Sequence, residues 1–140
     1  MRALLLDANS IMLLTRTGRV PVCDEETVVS TTGIAAYELG NAVWKDLHLF
    51  RKLNEHEARV LLAIFHETLL RLSVEQQEEL AERLEVLGNA DQYGVSYYDS
   101  SYLTAAIRLG ATLVTEDKSL RSAAKACGVP CSSAKTISGE

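Results

Sequence analysis

Two short apolar runs in the chain end in an acid, and polar residues lie beside each acid. The first, "RALLLDANS" at residues 2–10, places Asp7 and Asn9 after its leucines. The second, "LVTED" at residues 113–117, ends in Thr115, Glu116 and Asp117. Apolar runs of this length are typical of strands buried in a parallel sheet, whose carboxyl ends meet at one edge. We therefore expect Asp7 and Asp117 to be neighbours, and paired carboxylates are ligands for a hard dication such as Mg²⁺ or Mn²⁺.

Two further acids stand in unusual surroundings. Glu38 lies in the small, apolar stretch "GIAAYELGNAV" with no Lys or Arg one helical turn away, so it either faces solvent or meets a cation. Asp99 precedes "SSYLTAAIRLG", whose apolar spacing predicts a helix. Taken singly, Asp7, Asp99 and Asp117 also suit the N-cap of a following helix. Brought together at one sheet edge, the four carboxylates would repel one another, and a divalent metal would relieve that repulsion.

The spacing of hydrophobic residues predicts the strands and helices that would position these acids. Predicted strands cover residues 3–6, 27–30 and 111–115, with a last short strand within 129–137. Predicted helices cover residues 10–15, 33–50, 54–72, 73–87, 100–110 and 118–127. Thr31 or Thr32 would cap the helix at 33–50, and Ser73 would open a capping box with Gln76. The alternation indicates an α/β fold, with a mostly parallel sheet and helices on both faces, in a single domain over residues 1–140.

Composition restricts the possible functions. The longest apolar run, residues 60–65, is too short to span a bilayer. Asp7 interrupts the first apolar stretch before a signal peptide could form. We therefore expect a soluble, cytoplasmic protein with no membrane segment. Three cysteines and three histidines show no zinc-ligand spacing. The net charge of −5 argues against a broad nucleic-acid surface, unless the negative charge is gathered in one pit and neutralised by metal.

The sequence resembles the PIN-domain family, particularly the VapC-like ribonuclease toxins of toxin–antitoxin pairs. The resemblance covers nearly the whole chain and rests on "LLLDANS", "GIAAYELGNAVWK" and "VSYYDSSYLTAAIRLGATLVTEDKSL" in that order. It implies a three-layer α/β/α sandwich with a central mostly parallel sheet. It also implies frequent homodimers and an antitoxin protein that inserts a segment toward the active groove. The residues that carry the family's acidic quartet, which would be catalytic and bind Mg²⁺ or Mn²⁺, are Asp7, Glu38, Asp99 and Asp117, with Asn9 and Thr115 as supporting residues.

The function expected from the residues and the resemblance is metal-dependent hydrolysis of RNA phosphodiesters by the toxin of a toxin–antitoxin pair. Glu38 would bind the metal through water or orient the attacking water, and both roles stay open. By position in the sequence, Arg16, Arg19 and Lys118 are the nearest candidates for RNA contacts.

Three alternatives remain. One is a PIN-like nuclease of RNA processing or decay, and another is a catalytically silent PIN-like binding module. The third, a phosphatase-like domain, would need a second Asp soon after the first strand, where "DANS" supplies Asn9. The apolar faces at residues 39–50 and 60–72, with Trp44, would pack in the core or cover a partner interface.

Overall fold

A five-stranded parallel sheet lies at the centre of the computed structural model, which describes residues 1–137. Its strands are β1 (Arg2–Leu6), β2 (Thr27–Thr32), β3 (Ser73–Glu75), β4 (Thr112–Val114) and β5 (Cys131–Ser132). They are arranged in the order β3-β2-β1-β4-β5, so the first strand of the chain is central. In the register of β1 with β4, Leu6 lies opposite Val114. The residues that follow these two strands therefore leave the sheet side by side.

Helices cover both faces of this sheet. They are α1 (Ala8–Thr17), α2 (Ile34–Trp44) with a π-helical turn over Lys45–Leu49, α3 (Glu55–Leu70), α4 (Leu80–Tyr93), α5 (Tyr97–Leu109), α6 (Lys118–Ala126) and α7 (Ala134–Ile137). Right-handed crossovers place α1, α2 and α3 on one face, since the chain moves from β1 to β3 in one direction. The reversed direction from β4 to β5 places α4, α5 and α6 on the other face, where α5 packs against α4, α6 and the sheet. The predicted three-layer α/β/α sandwich is confirmed.

The core follows from the apolar strands. Leu4, Leu5 and Leu6 are consecutive and at most 1% exposed, so both faces of β1 are covered. Such a run is expected for a central strand of a parallel sheet. Burying each leucine side chain contributes roughly 1.5–3 kcal/mol of transfer free energy. This packing holds the end of β1, and with it Asp7, in a fixed position.

Helix ends follow local capping rules. The Asp7 side chain accepts a hydrogen bond from the backbone N–H of Ser10 and so caps α1, which ends at Gly18 with a φ of 68°. Asn54 and Glu57 form a reciprocal capping box at the start of α3. No helix within residues 1–137 combines the length and the apolarity needed to cross a bilayer.

The capping box predicted at Ser73 is wrong. Residues Ser73–Glu75 form the edge strand β3 and pair with β2, which extends through Thr32. The free edge of β2 supplies backbone hydrogen-bond partners that a helix start at Ser73 would leave unused. The helix therefore begins later, at Leu80, and continues past Gly88 to Tyr93.

Two other predicted boundaries differ. Thr31 and Thr32 are the last residues of β2, and Gly33 precedes α2 without a side-chain cap. The short strand predicted within 129–137 is confirmed as β5, and α7 follows it because Ser133 accepts the Thr136 N–H and starts a helical turn. Asp99 lies inside the first turn of α5, whose N-cap is Ser96.

Candidate active site

Asp7 and Asp117 lie at the point where the winding of the sheet reverses. Asp7 follows β1 and begins α1, whereas Asp117 begins α6 shortly after β4, and these two helices lie on opposite faces. In open α/β sheets, ligands bind in the crevice that such a reversal opens at the carboxyl ends of the strands. Asp7 is 6% exposed, and Asp117 faces solvent. The predicted proximity of the two strand ends is confirmed.

Thr115 connects the two carboxylate residues. Its hydroxyl accepts a hydrogen bond from the backbone N–H of Asp117 at 3.1 Å and donates to Oδ2 of Asp7 at 2.5 Å. A threonine hydroxyl has one proton, so the bond to Asp7 uses its whole donor capacity. Asp7 Oδ1 meanwhile accepts the Ser10 N–H at 2.9 Å, and Asp117 Oδ1 accepts the Leu120 N–H at 2.8 Å. Asp7 and Asp117 therefore cap helices α1 and α6 and also place their carboxylates at the candidate site.

Further hydrogen bonds hold this sheet edge together. The Ser10 hydroxyl donates to the Val114 carbonyl at 2.9 Å, and the Asp7 N–H donates to the same oxygen at 3.3 Å. The Thr31 hydroxyl donates to the Leu6 carbonyl at 2.8 Å. Because these groups are buried and bonded, the edge is a rigid support for the carboxylates.

Glu38 meets a tyrosine. The Tyr102 hydroxyl donates to Oε1 of Glu38 at 2.5 Å, which joins α2 to α5. Tyr102 is 1% exposed, and burial, followed by the bond to Glu38, raises its pKa above the usual range. The phenol therefore stays neutral and keeps donating. The sequence suggested that Glu38 either faces solvent or meets a cation. The structure shows a third arrangement, in which Tyr102 binds Oε1 of Glu38 and leaves Oε2 available.

Asp99 does not cap its helix. The Ser96 hydroxyl accepts the Asp99 N–H at 3.0 Å, so Ser96 is the N-cap of α5. This arrangement places the Asp99 carboxylate on the first turn of α5, three residues before Tyr102 and on the same side of the helix. Capping therefore does not explain why an acid occupies position 99.

The four carboxylates form one electrostatic unit. Burial is the main reason that the pKa values of Asp7, Glu38 and Asp99 lie above their ordinary values. The charge of Asp117 raises the pKa of Asp7 further, and the charges of Asp99 and Asp7 act on Glu38 in the same sense. The charges of Asp117 and Asp7 likewise raise the pKa of Asp99. Hydrogen bonds from Thr115, Ser10 and Tyr102 oppose part of this rise at Asp7 and Glu38. Asp7 thus lies within electrostatic range of each of the other three predicted acids.

This donor set suits a hard divalent cation. It contains only oxygen ligands, and the carboxylates destabilise one another's ionised forms, a cost that a cation removes. Within residues 1–137, no three acidic, histidine or cysteine side chains are close enough to form a ready-made ligand cluster. Mg²⁺ commonly binds one or two carboxylates and retains several waters, so direct contact with all four acids is not required.

The predicted supporting residues, Thr115 and Asn9, and the predicted basic residues lie at different distances from the carboxylates. Thr115 contacts Asp7 directly, whereas Asn9 is exposed on the wall of a 480 Å³ groove that Glu38 also lines. In the described part of the chain the Asn9 side chain forms no hydrogen bond with a carboxylate, and its supporting role stays a prediction. Arg16 lies in the last turn of α1, about 13 Å along the helix from Asp7, and Arg19 lies beyond it. Lys118 directly follows Asp117 in the chain and is the first residue of α6, so it is the nearest of the three basic candidates to Asp117 along the sequence.

A family model described as PIN domain matches residues 4–126. The chain belongs to the PIN domain family. Over 91 residues it is 34% identical to ribonuclease VapC3 of Pyrobaculum aerophilum, an alignment that spans 64% of this chain and 66%, just under two thirds, of that protein.

Solved structures confirm the PIN fold. The crystal structure of PAE2754 from Pyrobaculum aerophilum has a TM-score of 0.74 at 24% identity and covers 99% of this chain and 95% of its own. VapBC2 of Rickettsia felis, crystallised with a DNA fragment from its promoter, has a TM-score of 0.61 at 17% identity and covers 94% and 98% respectively. At these identities the likeness shows the fold alone.

Sequence reasoning missed Tyr102 and Ser96. A signal for both was present, because Ser96 stands three residues before Asp99, as an N-cap stands before N3, and Tyr102 stands three residues after it. The pairing of Tyr102 with Glu38 spans 64 positions of the chain, and no local pattern encodes it.

Proposed function

We propose that this PIN domain is a Mg²⁺- or Mn²⁺-dependent endoribonuclease and the toxin of a toxin–antitoxin pair. The observation that carries the proposal is the position of Asp7 at the reversal point of the sheet, within electrostatic range of Glu38, Asp99 and Asp117. The relative named ribonuclease VapC3 supports both the chemistry and, by its VapC name, the biological setting.

The proposed reaction is hydrolysis of an RNA phosphodiester. A bound divalent cation supplies Lewis acidity, which neutralises phosphate charge and makes water more acidic. Asp7, Asp99 and Asp117 would hold that cation, and Thr115 keeps Asp7 oriented by hydrogen bonding to Oδ2. Oε2 of Glu38 accepts the proton of the attacking water, because Tyr102 already binds Oε1. Water oxygen bonds to phosphorus, the bond from phosphorus to the leaving ribose oxygen breaks, and that oxygen takes up a proton from solvent water.

An antitoxin and a second copy of the chain are the proposed protein partners. Phe50, directly after the π-helical turn, is 58% exposed, and Leu62 and Leu70 of α3 are 46% and 67% exposed. Residues Leu39, Leu62 and Phe65 line a 460 Å³ groove between α2 and α3. Apolar exposure of this extent is common where proteins associate. Trp44, 47% exposed, is also available for such an interface.

The activity is tested by incubating labelled single-stranded RNA with the purified protein in Mg²⁺, in Mn²⁺ and in EDTA. We expect cleavage with either metal, none in EDTA, and none for Asp117→Asn, which retains an oxygen to cap α6. Asp91→Asn on the exposed side of α4 is the matched control and should cleave normally. Full cleavage by Asp117→Asn, or undiminished cleavage in EDTA, would remove the proposed site. An inactive but folded wild-type protein would favour the silent binding module.

The biological role is tested by expression in a bacterial host. A toxin should arrest growth, and co-expression of a cognate antitoxin, sought as a small protein encoded beside it, should restore growth. Active protein that leaves growth unaffected would favour an RNA-processing or decay nuclease instead. Sedimentation of the purified protein tests the proposed homodimer.

A further inference from the structure

The short loop between β4 and α6 carries Asp117 to the candidate site, and a basic side chain of α6 reaches back to this loop. Nη1 of Arg121 donates to the Thr115 carbonyl at 2.8 Å. Thr115 is 0% exposed, and a hydrogen bond from a charged donor to a buried carbonyl is stronger than a neutral one. Arg121 therefore holds the backbone at the residue whose hydroxyl lies between Asp7 and Asp117.

The ladder between β4 and β5 ends in an irregular way beside this loop. Val114 is paired with Ser132, and the Thr115 N–H continues the ladder by donating to the Ser132 carbonyl at 3.1 Å. By the same parallel register, the Thr115 carbonyl should accept the backbone N–H of Ala134. That N–H instead donates to Oε1 of Glu116 at 2.7 Å. The last bond of the ladder is therefore replaced by a bond to a side chain.

Arg121 supplies the other half of this replacement. Its guanidinium takes the place of the Ala134 N–H at the Thr115 carbonyl, so one ladder bond becomes two side-chain bonds, one made by Arg121 and one by Glu116. The chain thereby leaves the sheet at Thr115 and turns into α6, with Asp117 as the N-cap of that helix. The path of the backbone from Thr115 to Asp117 is thus set by two charged side chains as well as by the sheet.

The Arg121 guanidinium lies where the helix dipole disfavours a cation. Side chains of a helix lean toward its N-terminus, so Arg121 extends toward the end of α6 at which the dipole is positive. An arginine four residues after an aspartate often pairs with it. Within residues 1–137, however, Arg121 forms no salt bridge, and the Asp117 carboxylate accepts only the Leu120 N–H, through Oδ1. Oδ2 of Asp117 therefore stays available to a metal.

We propose that Arg121 is a positioning residue for the metal site, and that it acts with Glu116 by fixing the backbone from Thr115 to Asp117. The inference rests on the proposed metal-dependent function and adds two residues that lie outside the acidic quartet. Charge and position make opposite predictions for the removal of Arg121. Loss of a cation near the site should strengthen the binding of a dication, whereas loss of a residue that orients a ligand should weaken it.

The test measures the dissociation constant of Mn²⁺ by electron paramagnetic resonance of the free ion, with no RNA present. Wild-type protein should bind Mn²⁺, and Asp117→Asn should bind it far more weakly. Arg121→Met should bind about 10- to 100-fold more weakly than wild type, the range for loss of a residue that orients a metal ligand. Arg121→Lys, which keeps the charge and a donor, should recover part of that loss. Lys125→Met, which removes an exposed cation one turn further along α6, is the matched control and should bind as wild type.

Two variants of Glu116 separate position from charge. Glu116→Gln keeps an oxygen for the Ala134 N–H, whereas Glu116→Ala releases that N–H to compete with Arg121 for the Thr115 carbonyl. Both variants remove the same negative charge. Weaker Mn²⁺ binding by Glu116→Ala than by Glu116→Gln is therefore the expected result, and it reports the position of the loop.

Thermal unfolding of the same proteins separates positioning from folding. A residue with a structural role alone would lower the melting temperature of Arg121→Met and leave the Mn²⁺ affinity of the folded protein unchanged. Unchanged or tighter Mn²⁺ binding by Arg121→Met, or equal binding by the two Glu116 variants, would overturn the inference and leave the proposed nuclease intact. If Arg121→Met does not fold, the two Glu116 variants decide the question. Equal Mn²⁺ binding by wild type and Asp117→Asn would refute the proposed metal site as well.

Discussion

Removal of the Thr115 hydroxyl should destabilise the protein in a pH-dependent manner. Thr115→Val keeps the shape of this fully buried side chain but removes the donor to Asp7 and the acceptor for the Asp117 N–H. A hydrogen bond to an ionised group contributes about 1.5–3 kcal/mol, and a neutral one about 0.5–1.5 kcal/mol. We therefore expect the free energy of unfolding to fall by about 2–4 kcal/mol at neutral pH.

The pH dependence identifies the cause. The bond from Thr115 lowers the pKa of Asp7, which burial holds above its ordinary value. This stabilisation is therefore fully present when Asp7 is ionised, and it is lost as the pH falls through the folded-state pKa of Asp7. The difference in stability between wild type and Thr115→Val should shrink from about pH 8 to about pH 4.

Thermal unfolding in EDTA is the assay. At about 2–4 °C per kcal/mol for a domain of this size, the melting temperature should fall by about 4–16 °C at neutral pH. Thr115→Ser, which keeps the hydroxyl, should lose much less. Thr31→Val is the matched control, because Thr31 is equally buried but donates to the non-titrating Leu6 carbonyl, so its effect should not change with pH. An equal loss for Thr115→Val at both pH values would refute the charge-assisted bond.

Three further predictions concern the carboxylates. In EDTA, Asp7→Asn should become more stable relative to wild type as the pH rises. The folded-state pKa of Asp7 is raised, so ionisation of this carboxyl lowers the free energy of unfolding of the wild type above the unfolded-state pKa. A difference in melting temperature that does not change with pH would contradict this prediction. Mg²⁺ or Mn²⁺ at about 100 times its dissociation constant should stabilise wild type and Asp91→Asn by about 2.7 kcal/mol, and Asp117→Asn far less, as measured by thermal unfolding. An equal rise in melting temperature in all three proteins would place the metal elsewhere. Tyr102→Phe should raise the pKa of Glu38 and shift the acidic limb of the cleavage rate to higher pH, and an unchanged pH–rate profile would exclude a role for this bond.

Local patterns predicted the acids at the strand ends because their determinants are local. A buried apolar run followed by Asp specifies a strand and the cap of the next helix at once, so the positions of Asp7 and Asp117 could be read directly. Their proximity then followed from the general rule for parallel sheets. The edge strand at Ser73–Glu75 could not be predicted this way, because its pairing with β2 depends on residues more than 40 positions earlier.

The surface of α4 shows a second limit of periodicity. Leu80, Leu84 and Leu87 have helical spacing and predict a buried stripe, yet they are 71%, 55% and 56% exposed. In the same helix Val86 is 1% exposed. Spacing identifies an apolar face but not what covers it, and in this chain alone much of that face is left to solvent.

The double duty of Asp7 and Asp117 affects how related sequences should be interpreted. Each aspartate starts a helix as well as contributing charge to the site, so a descendant that had lost its chemistry would still gain stability by retaining both. Glu38 and Asp99 cap no helix, and burial beside other acids disfavours their ionised forms. When selection for activity is relaxed, Glu38 and Asp99 should therefore be substituted first. Their presence is a better indicator of a working enzyme than the presence of the aspartates at the strand ends.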